Sequence, residues 1–366
     1  MKIKTPIIFF IIVIILSCKP NLSNCIIYQT NINIRHELFT HQLTDENHHY
    51  LFGVIEVNKL DFRTSEITIQ QTNVEDMSGG WRSIKNRIPG KCQAVCQTKE
   101  YIYLISRQHY KEKQSLKYSV HKLYKISKEN KTIVKIHEWD NGNAFVKDVF
   151  FDSEERGYVI YRSSNISGDY QVLSTMNGGK SWTTQYLNKS VDVVKFMPEK
   201  IFFISSKRNK KTNWIYSITK KNNELDSVQV YIKDIDIVEF SVDANGSYWL
   251  LSNENNKFIL HNYKNGKSKE IEIFSQNENI SIHKMYKYND AIVIIASEVD
   301  HSMHHGFGGS TPIMYISKDN GLTWNNQHLR KALYLEPVSF YKDSQIVGYI
   351  GQGKVLTCEL INKAGR

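Results

Sequence analysis

Two basic clusters and one of histidines carry the most evident chemistry in this chain. Arg107, His109, Tyr110, Lys111 and Lys113 form one run, and Lys207, Arg208, Lys210 and Lys211 form another. Cations interleaved with an aromatic ring can hold an anionic glycan or an acidic protein surface through charge and cation–π contact. The plainer alternative is that each run is the solvated tip of a hairpin. In the third cluster, His301, His304 and His305 stand around Met303 and ahead of Gly306, Gly308 and Gly309. Imidazoles and a thioether suit copper or zinc, but no carboxylate ligand accompanies them. The glycines favour a solvated, pH-responsive contact loop over a metal site. No cofactor is expected.

The elements that must position these groups are short and β-rich. The clearest strand-like runs are Tyr101 to Ser106, Val146 to Phe151, Tyr158 to Arg162, Ile201 to Ser205, Tyr248 to Ser252 and Ala291 to Ser297. Nothing after the first apolar run reads as an amphipathic helix, and no Pro-, Gly- or Ser-rich linker divides the chain. Abundant Tyr and Phe fit broad interfaces between sheets packed face to face. Between the runs one turn recurs. Its fullest form is Ser317-Lys318-Asp319-Asn320-Gly321-Leu322-Thr323-Trp324, and Thr175, Asn177, Gly179 and Trp182 repeat the spacing. In such a turn the carboxylate or amide oxygen accepts from turn amides. The glycine takes a positive φ and the tryptophan packs between neighbouring sheets. Weaker echoes are Ile126 to Lys131, Ile218 to Asn223, Asn262 to Lys267 and Met77 to Trp81. Successive turns lie roughly 43 to 55 residues apart, the length of a four-stranded blade.

The turn resembles the Asp-box of sialidase-like β-propellers. That likeness implies an all-β propeller over residues 25–366, with six turns and one closing unit giving about seven blades, six or eight remaining open. The N- and C-terminal strands would close the ring. In that family the Asp-boxes lie away from the active face, so Ser317, Asp319, Gly321, Trp324 and their counterparts are structural. Arg87-Ile88-Pro89 is similar to the family's carboxylate-gripping arginine motif, although Asn86 replaces its aromatic residue. A sialidase would also need Arg107 and Arg330 as further arginines. Asp140 would be its acid/base, and Tyr334 the nucleophile activated by Glu336. The bland reading of Arg87 is a blade connection stiffened by Pro89. Enzyme status stays open, with a binding or assembly module favoured over an exo-glycosidase. A toxin-neutralising immunity lipoprotein is a third class.

Residues 1–17 pair Lys2 and Lys4 with an apolar run from Ile7 to Leu16, too short to span a membrane. With Ser17 before Cys18, the segment resembles a bacterial lipoprotein signal. This implies lipidation of Cys18, a tether over residues 18–24 and, with Lys19 following, an outer-membrane destination. Removing Lys2 and Lys4 lowers the formal net charge from +10 to +8. The expected partners are the membrane, through the lipid, and a protein or anionic glycan; nucleic acid is not expected, nor is oligomerisation. Among the other cysteines, Cys25 and Cys358 sit in the first and last strand-like runs, which ring closure would bring together. An oxidising envelope permits a disulfide there. Cys92 and Cys96 span about 13 Å along a straight strand, so either the segment bends or both stay reduced. Four cysteines allow three pairings, and all stay open.

Overall fold

The computed structural model describes residues 25–29, 37–59, 62–73, 81–111, 117–139, 145–162, 170–187, 190–197, 199–207, 212–220, 224–225, 230–233, 235–243, 247–254, 257–264, 267–275, 280–299, 310–328, 338–341, 345–349 and 354–359. After β1 (Cys25–Gln29), the first blade runs through β2 (Glu37–Thr44), β3 (His48–Lys59), β4 (Phe62–Asn73) and β5 (Arg82–Pro89). The second comprises β6 (Lys91–Gln97), β7 (Tyr101–Lys111), β8 (Lys117–Ser127) and β9 (Ile133–Trp139), and the third β10 (Phe145–Phe151), β11 (Gly157–Arg162), β12 (Tyr170–Thr175) and β13 (Thr183–Tyr186). In the fourth, β14 (Val193–Phe196), β15 (Lys200–Lys207) and β16 (Thr212–Thr219) are edged by two short strands, β17 (Glu224–Leu225) and β18 (Val230–Lys233). The fifth holds β19 (Asp236–Val242), β20 (Tyr248–Glu254), β21 (Lys257–Lys264) and β22 (Lys267–Ser275). The sixth holds β23 (Ile280–Tyr288), β24 (Ala291–Val299), β25 (Ser310–Ser317) and β26 (Asn325–His328).

All pairings are antiparallel, and the fold is an all-β propeller. The expectation of about seven blades is corrected to six, a number it had left open: six are continuous in sequence. The remaining sheet is a composite closure in which β27 (Val338–Tyr341), β28 (Gln345–Tyr349) and β29 (Lys354–Glu359) accept β1 from the other end of the chain. Its register sets Cys25 opposite Cys358, although the described residues contain no disulfide.

Each recurring turn read from the sequence falls between the third and fourth strands of one continuous blade. In four blades a backbone N–H of this hairpin donates to the turn between the first two strands: Lys128 to Glu100, Gly178 to Glu155, Lys220 to Glu199 and Asn320 to Asp290, at 2.8–3.0 Å. Inside the fullest turn, Ser317 Oγ accepts from Gly321 N at 2.7 Å and Asp319 Oδ1 from Thr323 N at 2.9 Å. Gly321 has φ 84, and Trp324 Nε1 donates to its carbonyl at 2.9 Å. The second turn matches: Gly179 N donates to Thr175 Oγ1 at 2.9 Å, Ser181 N to Asn177 Oδ1 at 2.9 Å and Trp182 Nε1 to Gly179 O at 3.1 Å.

The core consists of interfaces between blades. Tyr103 stacks on Phe151 across one of them at 3.6 Å, with Trp139 and Trp182 beside the pair. The innermost strands carry a repeated irregularity: β2, β6, β10, β19 and β23 each shift register by one residue, after Phe39, Cys92, Val146, Ile237 and Ile282. A bulge of this kind breaks the two-residue alternation of side chains. It accounts for the two free cysteines. On a regular strand Cys92 and Cys96 would share a face. The bulge between them instead sends Cys92 into the interface with the first blade and Cys96 into that with the third. Both thiols are buried, which pushes their pKa values up and leaves them inert.

Candidate functional site

A groove of about 670 Å³ opens on the face that carries the glycine–tryptophan turns. Three successive blades build it, each through the turn between its first two strands: Thr98 to Glu100, Asp152 to Glu154, and Met197. Its floor is aromatic because β10 ends on the pair Phe150-Phe151 and β14 on Phe196. Phe150 and Phe196 stack with centroids 4.9 Å apart and planes 8° from parallel. Lys220 places its Nζ 4.0 Å over the Phe150 ring and 3.6 Å from Asp152 Oδ2. The side chain is 1 % exposed, and its burial lowers its pKa against the pull of Asp152. Asp152 Oδ1 also accepts from Arg156 Nε at 2.8 Å. On the opposite wall, Glu154 accepts hydrogen bonds from Thr98 Oγ1 and from Tyr103 OH, and stands 3.7 Å from Lys125 Nζ. The result is an apolar floor with a mixed charged rim, anchored at both sides by ion pairs between blades. It can hold side chains of a polypeptide.

A smaller polar cleft of about 290 Å³ lies between the fifth and sixth blades, where Asp243, Asp290 and Asp319 face Lys264 and Lys269. Trp249 Nε1 donates to Asp243 Oδ2 at 2.8 Å, and Leu322, 64 % exposed, forms the lip. Among the described residues no group of three or more side chains is arranged to hold a metal ion.

One constellation within the fifth blade has the residue types of a hydrolase. Ser252 Oγ and Glu254 Oε1 both contact His261 Nε2, at 2.8 and 2.7 Å, and Glu270 stands 3.7 Å from Nδ1. Ser252 and His261 are fully buried, so no substrate reaches them; the cluster pairs Ser252, Glu254 and His261 Nε2 inside a blade, while the buried His261 Nδ1 makes no hydrogen bond.

The groups singled out from the sequence are dispersed. Arg87 lies in outer strand β5, not in a loop. Arg107 lies towards the end of β7, where its Nε donates to Ser119 Oγ at 3.3 Å. His109, Tyr110 and Lys111 end β7 and Lys207 ends β15, both at hairpins on the face opposite the groove. Lys113, Arg208, Lys210, Lys211, Asp140, Arg330, Tyr334, Glu336, His301, His304, His305 and Cys18 lie outside the described residues. Of the six groups a sialidase would require, Arg107 alone has a described side chain. The sequence reading missed the groove. Its lining comes from turns about 50 residues apart, and the available signal was an aromatic at the end of consecutive inner strands.

The sequence matches no family profile and no curated protein. Solved structures do match in fold. A structure of YCF48 bound to D1 peptide is 11% identical at TM-score 0.59, covering 92% of this chain and 97% of that one. A puromycin-hydrolyzing peptidase of Mycobacterium tuberculosis is 5% identical at TM-score 0.57, covering 85% and 48%. The Dos1 propeller is 9% identical at TM-score 0.53, covering 91% and 96%. At these identities the likeness establishes the β-propeller and nothing finer.

Proposed function

We propose that this chain is a lipid-anchored envelope propeller that binds a segment of a partner protein, as a binding or assembly module. The observation that carries the reading is the groove across three blades, whose Phe150–Phe196 floor and charged rim suit an apolar side chain flanked by polar backbone. The peptide held by YCF48, a protein of the same fold, supports a polypeptide ligand. The signal-like residues 1–17 and Cys18 would tether the domain to the outer membrane. The basic ends of β7 and β15, on the other face, would draw in an anionic surface, glycan or protein, by long-range attraction.

The test is site-specific photocrosslinking in envelope extracts with the soluble chain beginning at Lys19. A crosslinker at Ser153, in the groove, is expected to capture a discrete protein, and one at Val134, exposed on β9, is not. Capture at Lys113 in place of Ser153 would move the site to the basic face and end the groove reading. Hydrolysis of a fluorogenic sialoside, abolished by Arg87→Ala, would replace the whole proposal with the glycosidase alternative.

A further inference from the structure

The polar cleft between the fifth and sixth blades has walls of opposite charge. On the fifth blade, strand register sets Trp249, Asn262 and Lys269 in one row across β20, β21 and β22, and two-residue alternation puts Lys264 and Ile271 on the same face. Across the cleft stand Asp290, in the turn between β23 and β24, and Asp319 of the fullest glycine–tryptophan turn. Asp243, at the back, is already matched by Lys287, whose Nζ lies 3.6 Å from Oδ1 and 5.0 Å over the Trp249 ring. The Lys287 side chain is 1% exposed and its Nζ makes no hydrogen bond, so a buried donor stays unsatisfied behind that wall.

The two walls do not neutralise each other. Among the described residues neither Lys264 nor Lys269 forms an ion pair, although both line the same cleft as three aspartates. Asp319 is committed to its own turn: Oδ1 accepts from Ser317 Oγ and Thr323 N, and Oδ2 from Thr323 Oγ1, at 2.6–2.9 Å. Asp290 is committed on one side only. Its Oδ1 accepts from Asn320 Nδ2 at 2.7 Å, which leaves Oδ2 without a hydrogen bond among the described residues. Asn320 sits at φ 57, at the position where the third blade has Gly178 at φ 70, and both donate a backbone N–H to the neighbouring turn. Glycine takes that backbone more readily; the asparagine adds a carboxamide that fixes the Asp290 carboxylate.

We propose that this cleft binds a small zwitterion, a molecule carrying an ammonium and an oxyanion. The oxyanion meets Lys264 and Lys269, and the ammonium meets Asp290 Oδ2, backed by the charge of Asp319. Ile271 and the exposed Leu322 at the lip cover its apolar part. With Asp243 matched by Lys287, the two open lysines balance the two open aspartates. A simple anion would face Asp290 and Asp319, and a simple cation Lys264 and Lys269, so only a ligand with both charges answers both walls. A volume of about 290 Å³ restricts it to the size of an amino acid, a dipeptide or a lipid headgroup.

Thermal-shift screening of the common amino acids, glycyl-leucine and phosphoethanolamine, with calorimetry of each hit, tests this on the chain beginning at Lys19. At least one of these zwitterions is expected to bind, and its N-acetylated form, which lacks the ammonium, to bind at least about tenfold more weakly. Asp290→Asn and Lys269→Gln, both at exposed positions, are each expected to weaken binding at least about tenfold. Asn320→Gly keeps the turn but releases Asp290, and is expected to weaken binding without altering the charge of the site. Absence of binding by every one of these zwitterions overturns the site, as does equal binding of the acetylated form or binding untouched by Asp290→Asn and Lys269→Gln. Binding of amino acids or the dipeptide identifies a free solute as the occupant, whereas binding of phosphoethanolamine alone identifies a lipid headgroup.

Discussion

Gly90 connects the first and second blades at φ 107, and a Cβ there would stand 2.6 Å from the Arg107 carbonyl oxygen and against Ser106 Oγ. Backbone cannot move aside cheaply, so Gly90→Ala should destabilise by about 2–4 kcal/mol. Gly178, also at positive φ, meets only the Glu154 carbonyl at 3.1 Å, and Gly178→Ala should cost about 1 kcal/mol. Urea unfolding of both variants checks the order; equal losses would remove the steric explanation. Single residues also set the response to acid. His41 and His49 are held down to about 4 by burial, while Asp148 is held up to about 6. The unfolded chain protonates its histidines near 6.5 and the folded chain only near 4, so these two groups remove stability as pH falls through that window. The loss approaches about 3 kcal/mol each. Asp148 acts oppositely: its contribution is complete below 3.8 and is lost as pH rises through about 6. The histidines outweigh it, so unfolding free energy should fall between pH 6.5 and 4, and His49→Phe should flatten that slope.

At the scale of elements, blades are joined by lysines from one blade reaching an aspartate in the turn of the blade before it. Lys128 lies 2.7 Å from Asp45, Lys220 3.6 Å from Asp152 and Lys287 3.6 Å from Asp243. Each also lies over an aromatic ring, of Tyr50, Phe150 or Trp249 respectively. A buried ammonium without its counter-ion is costly, whereas removing both partners is tolerated. Asp152→Asn should therefore destabilise by about 3 kcal/mol, and adding Lys220→Met should restore most of it. Thermal melts of the single and double variants decide this. Additive losses would mean the pair does not couple the blades. Because Asp152 also lines the groove, the single variant should weaken partner capture at Ser153, and the double variant should separate fold from binding.

The whole molecule depends on closing the ring. Among the described residues the five of β1 hold the N-terminal end against β29, and they place Cys25 opposite Cys358. In an oxidising envelope we expect a disulfide at that register position. It would constrain nearly the entire unfolded chain and add on the order of 4–5 kcal/mol. Protein purified without reductant should show a Cys25–Cys358 linked peptide by mass spectrometry and a melting temperature that drops on reduction. Finding both thiols free would leave closure to strand pairing alone.

The sequence by itself determined the architecture. Glycine at positive φ, an oxygen two residues before it and a tryptophan three residues after are local demands of one hairpin. Six hairpins at blade-length intervals therefore showed in the chain before any contact was known. The neighbourhood of Cys25 and Cys358 followed from the same logic, since a ring must join its ends. Tertiary structure decided the rest. The bulges that send Cys92 and Cys96 to different interfaces have no spacing signature, because a one-residue shift is imposed by packing around the axis. The Phe150–Phe196 floor and the ion pairs of Glu239 with Lys195 and Lys284 each gather residues from separate blades. Their charges and apolar areas look like ordinary strand residues until the sheets close and water is excluded between them.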